Sequence, residues 1–172
     1  MVLKRLWMRQ CTALSVTLVL AALLLTHGMA YCGEISVEEG ITYGKAGDTE
    51  LKLDLARPEG DGPFPAIVFI HGGGWYQGSR QGYRRQIEEA AKRGYVAITI
   101  SYRLMQFDES KKETTSATPI FPAQIHDAKA AVRWLRANAK KYHVDPDRIG
   151  VTGGSAGGHL SLLVGLTDPA AN

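Results

Sequence analysis

The sequence predicts an α/β domain, a three-layer α/β/α sandwich on a mostly parallel sheet. Three observations predict it. Residues 66–70 and 96–100 are apolar runs without alternation, the mark of strands covered on both faces. Between and after them lie stretches with an apolar stripe at helical spacing. A further short strand runs directly into Gly153-Gly154-Ser155-Ala156-Gly157-Gly158, and a helix pattern (Leu160, Leu162, Leu163, Leu166) starts at once.

The first thirty residues stand apart from this domain. Lys4, Arg5 and Arg9 precede an apolar run over residues 13–25, and Gly28 and Ala30 occupy the small positions of a cleavage site. That order is a Sec-type signal peptide cut after Ala30, which implies a secreted or periplasmic protein. The run is short for a membrane span, so no stable membrane insertion is expected. A lipoprotein signal needs a small residue before the modified cysteine, and Cys32 follows Tyr31. The whole chain has 20 Lys+Arg against 17 Asp+Glu, and the signal holds three of the basic residues and no acidic one. The remainder is formally neutral, which speaks against nucleic acid as a partner. Cys11 falls in the signal, so Cys32 alone remains and can form neither an internal disulfide nor a cysteine-based metal site.

Residues 41–43 and 51–55 read as two strands, the second strictly alternating, with a turn over 44–49. An antiparallel hairpin at a sheet edge follows. Three prolines and two glycines make residues 57–65 a loop. After the strand at 66–70 comes His71-Gly72-Gly73-Gly74-Trp75, then a helix over 79–93 with Tyr83, Ile87, Ala90 and Ala91 on one face and Gly94 as its stop. The two buried strands and this helix form a right-handed crossover unit. Residues 106–118 are polar and charged, a surface loop that either contacts ligand or is a solvated insertion. A helix spans 123–142, with Ile125, Ala128, Val132, Leu135 and Ala139 on its stripe. His126 and Asp127 fall in its first turn, where helix capping explains them better than catalysis. Residues 144–147 turn into the last strand.

Gly153, Ser155 and Gly157 fit the G-x-S-x-G turn, in which strand and helix pass too close for a Cβ and the serine is pushed out above the sheet. The same five residues can also be a tight turn with a capping serine. The first reading places the Ala156 amide at a helix N-terminus, where it can hydrogen-bond a developing oxyanion. Acyl transfer by serine needs an exposed hydroxyl, a base and preorganised amides. The glycines after His71 leave a buried strand with no side chain in the way of inward-turned amides. Other glycine-loop chemistries fail on spacing. A dinucleotide fingerprint from Gly72 meets Gln77 where its last glycine belongs, and no lysine near Ser155 completes a P-loop.

Five motifs in order, His71-Gly72-Gly73-Gly74-Trp75, Ser101-Tyr102-Arg103-Leu104, Phe121-Pro122-Ala123-Gln124, Asp145-Pro146-Asp147-Arg148-Ile149 and Gly153-Gly154-Ser155-Ala156-Gly157-Gly158, carry a resemblance. From residue 41 onward the chain resembles an α/β-hydrolase of the esterase/lipase group, close to its hormone-sensitive-lipase-like and secreted acetyl-xylan or feruloyl esterase branches. The resemblance implies Ser155 as nucleophile and an oxyanion hole made by Gly72, Gly73 and Ala156. Trp75 either walls the substrate pocket or simply packs. His71 is implied to position its loop. His159 lies four residues after Ser155, so its side chain runs along the helix and away from the hydroxyl. The implied function is a serine carboxylic-ester hydrolase without metal or cofactor, acting on a small-molecule or polysaccharide-linked ester. An amide- or peptide-cleaving relative and a non-catalytic binding module stay open beside it.

The chain departs from that pattern after the serine. The triad order is Ser, then Asp or Glu, then His. Beyond Ser155 only Asp168 and His159 have those side chains, and neither lies on a later strand-end loop. The expectation is an α/β-hydrolase fold truncated after the elbow helix, with residues 31–172 the N-terminal part of a longer domain. Such a piece is expected to be poorly soluble and nearly inactive by itself.

Overall fold

The computed structural model describes residues 33–108, 110–114 and 119–167, so residues 1–30, where the sequence predicts an export signal, and Asp168 lie outside the described residues. In chain order the elements are β1 (Ile35–Ala46), β2 (Thr49–Pro58), β3 (Phe64–Ile70), a 3-10 turn (Arg80–Tyr83) leading into α1 (Arg84–Ala91), β4 (Val96–Ile100), β5 (Phe107–Asp108), β6 (Glu113–Thr114), α2 (Ala123–Ala137), α3 (Ala139–Tyr142), β7 (Val144–Gly153) and α4 (Ala156–Leu166). Five strands form one sheet in the order β1-β2-β4-β3-β7. β1 and β2 form the expected antiparallel edge hairpin, and β2 joins β4 antiparallel. β4, β3 and β7 then run parallel.

Side-chain alternation on the central strands builds two cores. Val96, Ile98 and Ile100 of β4 face one way with Val68, Ile70, Leu53 and Leu55, and α2 and α4 cover them with Ile125, Ala128, Leu135 and Leu160. Ala97 and Ala56 face the other way, beneath Ile87, Ala90 and Ala91 of α1. Helices therefore cover both faces, the expected three layers. β4 is fully buried because it has a strand on each side and a helix over each face.

Several boundaries differ from the sequence reading, each for a local reason. The hairpin strands run to residues 46 and 49, because Gly47 at φ 60° closes the turn in two residues. The helix predicted over 79–93 begins as a 3-10 turn. The helix over 123–142 is broken at Asn138, whose side-chain amide donates to the Trp134 carbonyl at 2.8 Å. Residues 144–147 belong to β7 rather than to a turn before it. The turn is folded into the strand as a bulge, with the ladder stepping from Phe64–Val144 to Ala66–Ile149. Asp145 closes the bulge by accepting from the Asp147 amide at 3.0 Å and from Arg148 Nε at 2.6 Å. The 106–118 segment contains the small β5–β6 hairpin, in which the Asp108 carboxylate accepts from the Ser110 amide and hydroxyl.

Asp127 does not cap α2. Its carboxylate is buried and receives the Arg103 backbone amide and guanidinium, with Nε at 2.9 Å and Nη2 at 2.7 Å. A second buried carboxylate, Asp54 on β2, accepts from Arg80 Nε at 2.7 Å, Arg84 Nε at 3.0 Å and the Gly40 amide at 2.8 Å. It ties the edge hairpin to the 3-10 turn and α1.

Burial alone would raise the Asp54 carboxyl, but the bonds from Arg80, Gly40 and Arg84 outweigh it and hold the pKa below the ordinary carboxylate value. A carboxyl whose folded pKa is depressed contributes stability above its unfolded pKa, and that contribution is lost as pH falls through the folded value. Asp54→Asn is expected to cost about 3 kcal/mol at pH 7. The gap to the unsubstituted chain should narrow below about pH 4, as urea unfolding at several pH values would read.

Candidate active site

Register assembles the site. Ile70, Ile100 and Gly153 are neighbours across the three parallel strands, so the chains leaving β3, β4 and β7 emerge side by side at one sheet edge. These are residues 71–78, residues 101–106 and the Gly154-Ser155 turn.

At the turn, β7 ends at Gly153 and α4 begins at Ala156, leaving two residues to reverse the chain. Ser155 takes φ 52° and ψ −121°, a conformation an L-residue adopts at a cost of about 1–3 kcal/mol. Glycine is required on both sides. A Cβ on Gly157 would collide with the Ile70 carbonyl oxygen and lie 2.7 Å from the His71 carbonyl oxygen. A Cβ on Gly153 would meet the same Ile70 oxygen and lie 2.6 Å from the Gly157 carbonyl carbon. The elbow therefore presses directly on the end of β3.

Ser155 is exposed, and although it occupies the N-cap position its side chain makes no capping hydrogen bond. The geometry is that of a presented hydroxyl, not of a capping serine. The glycine loop lies against it: a Cβ on Gly72 would stand 3.3 Å from the Ser155 Cβ and 2.7 Å from the Gly154 carbonyl oxygen. Gly73, at φ 116°, forms the tight turn, and its carbonyl accepts from the Tyr76 and Gln77 amides at 3.2 and 3.0 Å. The amides of Gly72, Gly73 and Ala156 have no hydrogen-bond partner among the described residues. Of these, the Gly72 backbone lies against Ser155 and Ala156 follows it in the chain.

His71 supports the loop. Its ring is buried, stacks on Tyr102 with centroids 4.3 Å apart, and has Nδ1 2.8 Å from the Gly72 carbonyl oxygen. Burial pushes its pKa below the ordinary histidine value, against an opposing pull from the Gly72 contact, so the ring is neutral at pH 7. Burial also pushes the Tyr102 phenol up to about 12, which keeps the proton it donates to the His71 carbonyl at 3.0 Å.

Beside the turn is a pocket of about 250 Å³ lined by Trp75, Met105, Phe121, Gln124 and His159. Trp75 is thus a wall residue as well as a packing one, edge-on to His159 at 5.4 Å. His159 is exposed on α4 and makes this contact with Trp75, not one with the Ser155 hydroxyl. Sequence reasoning missed Met105, Phe121, Gln124 and His159 as lining. Phe121 and Gln124 stand in a motif that sequence reading singles out without a role, while nothing in the sequence marks Met105. Among the described residues no side chain hydrogen-bonds the Ser155 hydroxyl, and no cluster of three His, Cys, Asp or Glu is arranged to hold a metal.

Strand order, helices on both faces and a serine turn at the end of a parallel strand define the class as an α/β-hydrolase fold. The sequence profile of the BD-FAE family matches residues 53–172, and the chain belongs to that family. It is 35% identical over 151 residues to a probable carboxylic ester hydrolase, LipM, of Mycobacterium tuberculosis, a match covering 86% of this chain and 31% of LipM. The apo form of Thermogutta terrifontis esterase 2 superposes with a TM-score of 0.61 at 34% identity, over 80% of this chain and 47% of that one. A bacterial heroin esterase does so with a TM-score of 0.62 at 28% identity, over 87% and 44%. The chain spans between 24% and 31% of the length of the first curated relatives it matches.

The elbow geometry separates two glycines of one helix. Gly157→Ala has no room for its methyl and is expected to prevent native folding. Gly165→Ala meets nothing within 4 Å and should stabilise by about 0.5–1 kcal/mol. Thermal unfolding of the two variants checks the contrast.

Proposed function

We propose that this chain is the N-terminal part of a secreted or periplasmic serine carboxylic-ester hydrolase. Residues 1–30 serve as an export signal removed after Ala30. Ser155 is the nucleophile, and Gly72, Gly73 and Ala156 furnish the oxyanion amides. The carrying observation is the pairing of an exposed, uncapped Ser155 hydroxyl with the Gly72 backbone at its side.

In this reading Ser155 Oγ bonds to the ester carbonyl carbon while its proton passes to a base. The carbonyl oxygen becomes the oxyanion held by the free amides. Collapse of the tetrahedral adduct breaks the bond to the alcohol, which leaves with that proton. Water then attacks the acyl-serine, restores the hydroxyl and releases the acid. The base is a histidine that follows the elbow helix in the full-length parent, as the α/β-hydrolase chain order requires. The pocket beside Trp75 receives one side of a small ester. An ester linked to a polysaccharide would enter by the same mouth.

A fluorophosphonate probe tests the assignment. In the full-length parent it should label the protein stoichiometrically, with loss of all labelling in Ser155→Ala. Residues 1–172 alone should label slower by orders of magnitude, since only the oxyanion donors remain. Labelling of the parent that survives Ser155→Ala would refute the nucleophile. N-terminal sequencing of the exported protein checks the cut after Ala30.

A further inference from the structure

The segment leaving β4, residues 101–105, touches the glycine loop at both of its ends. Tyr102 stacks on His71 and donates to its carbonyl at 3.0 Å, where the loop begins. The Met105 amide donates to the Trp75 carbonyl at 2.9 Å, where the glycines end. Between these contacts stands Arg103, with its amide and guanidinium both on the Asp127 carboxylate. Arg103 Nη2 also reaches the Ala123 carbonyl at 3.3 Å, in the first turn of α2. That helix carries Gln124, and Phe121 precedes it, so one end of α2 forms the pocket wall that faces Trp75 and Met105. The rear of the segment is fixed as well. Tyr43 donates to the Ser101 carbonyl at 2.6 Å, and the Ser101 amide to the Lys52 carbonyl at 2.8 Å.

We propose that Arg103 and Asp127 are the positioning pair of the site, one ion pair that sets both the glycine loop beside Ser155 and the spacing of the two pocket walls. The proposal rests on the esterase reading for its consequence and on geometry alone for its mechanics. A planar guanidinium engaged by two of its nitrogens fixes direction as well as distance, which a lysine ammonium cannot do. Residues 101–105 lie outside the sheet ladder, where the backbone bonds of Ser101 and Met105 hold the two ends and side chains set the geometry between them. Loss of the fork frees Met105 and with it Trp75, while the strands behind remain paired. Misplacement by a fraction of an ångström at the oxyanion donors is enough to slow acyl transfer.

The test uses Arg103→Lys and Asp127→Asn in the full-length parent, read by hydrogen exchange of backbone amides and by fluorophosphonate labelling rate per folded molecule. Expected in Arg103→Lys is faster exchange confined to residues 71–78 and 101–105, unchanged protection of β3 and β4, and labelling slowed about 10-fold to 100-fold. A pair that only stabilises the fold would raise exchange across all strands together and leave the labelling rate of folded molecules unchanged. That result, or unaltered exchange at 71–78, overturns the proposal. If Asp127→Asn fails to fold because Arg103 is left uncompensated, Arg103→Lys alone decides. Absence of labelling in the unsubstituted parent would sink the esterase reading, while the exchange comparison would still settle the role of the pair.

Discussion

The site depends on the close approach of two backbones, the end of β3 and the first turn of α4. The Ile70 and His71 carbonyls lie where side chains at Gly153 and Gly157 would have to go. Only because both Cβ atoms are missing can the strand reverse into a helix within two residues and set Ser155 above the sheet edge. The same approach brings Gly72, two residues beyond Ile70, against Ser155. One steric constraint thus fixes the exposed hydroxyl, the glycine loop and the Ala156 amide relative to each other.

Much of this was legible in the sequence because it is written in residue types that admit few conformations. Gly153, Ser155 and Gly157 at fixed spacing, and three consecutive glycines after a buried strand, leave little choice of backbone. The buried strands were legible from unbroken apolar runs, and the helix faces from their stripes. What escaped was side-chain pairing over distance. Asp127 reads as a helix-terminal carboxylate, yet it serves an arginine 24 residues earlier in the chain. Asp54, inside an alternating strand, gives no sign that it will collect two guanidiniums. Hydrogen bonds across elements leave no periodic trace, so partner choice appears only once the elements are packed.

The bulge in β7 has the same origin. Asp145-Pro146-Asp147 has every composition mark of a turn, and locally it is one. Tertiary pairing with β3 on either side draws the turn into the strand, so propensity was right about the conformation and silent about the ladder. On its other side β7 has no neighbour in the described sheet, and Leu162 and Leu166 of α4 are 65% and 81% exposed. Among the described residues β1 and β7 are the two edge strands of the sheet.

The left-handed backbone of Ser155 sets local comfort against chemical use. Glycine would occupy that crest with no steric penalty, so a copy of the gene released from any need for the hydroxyl should drift toward a more stable protein by discarding it. A serine there holds its hydroxyl up against the preference of the backbone.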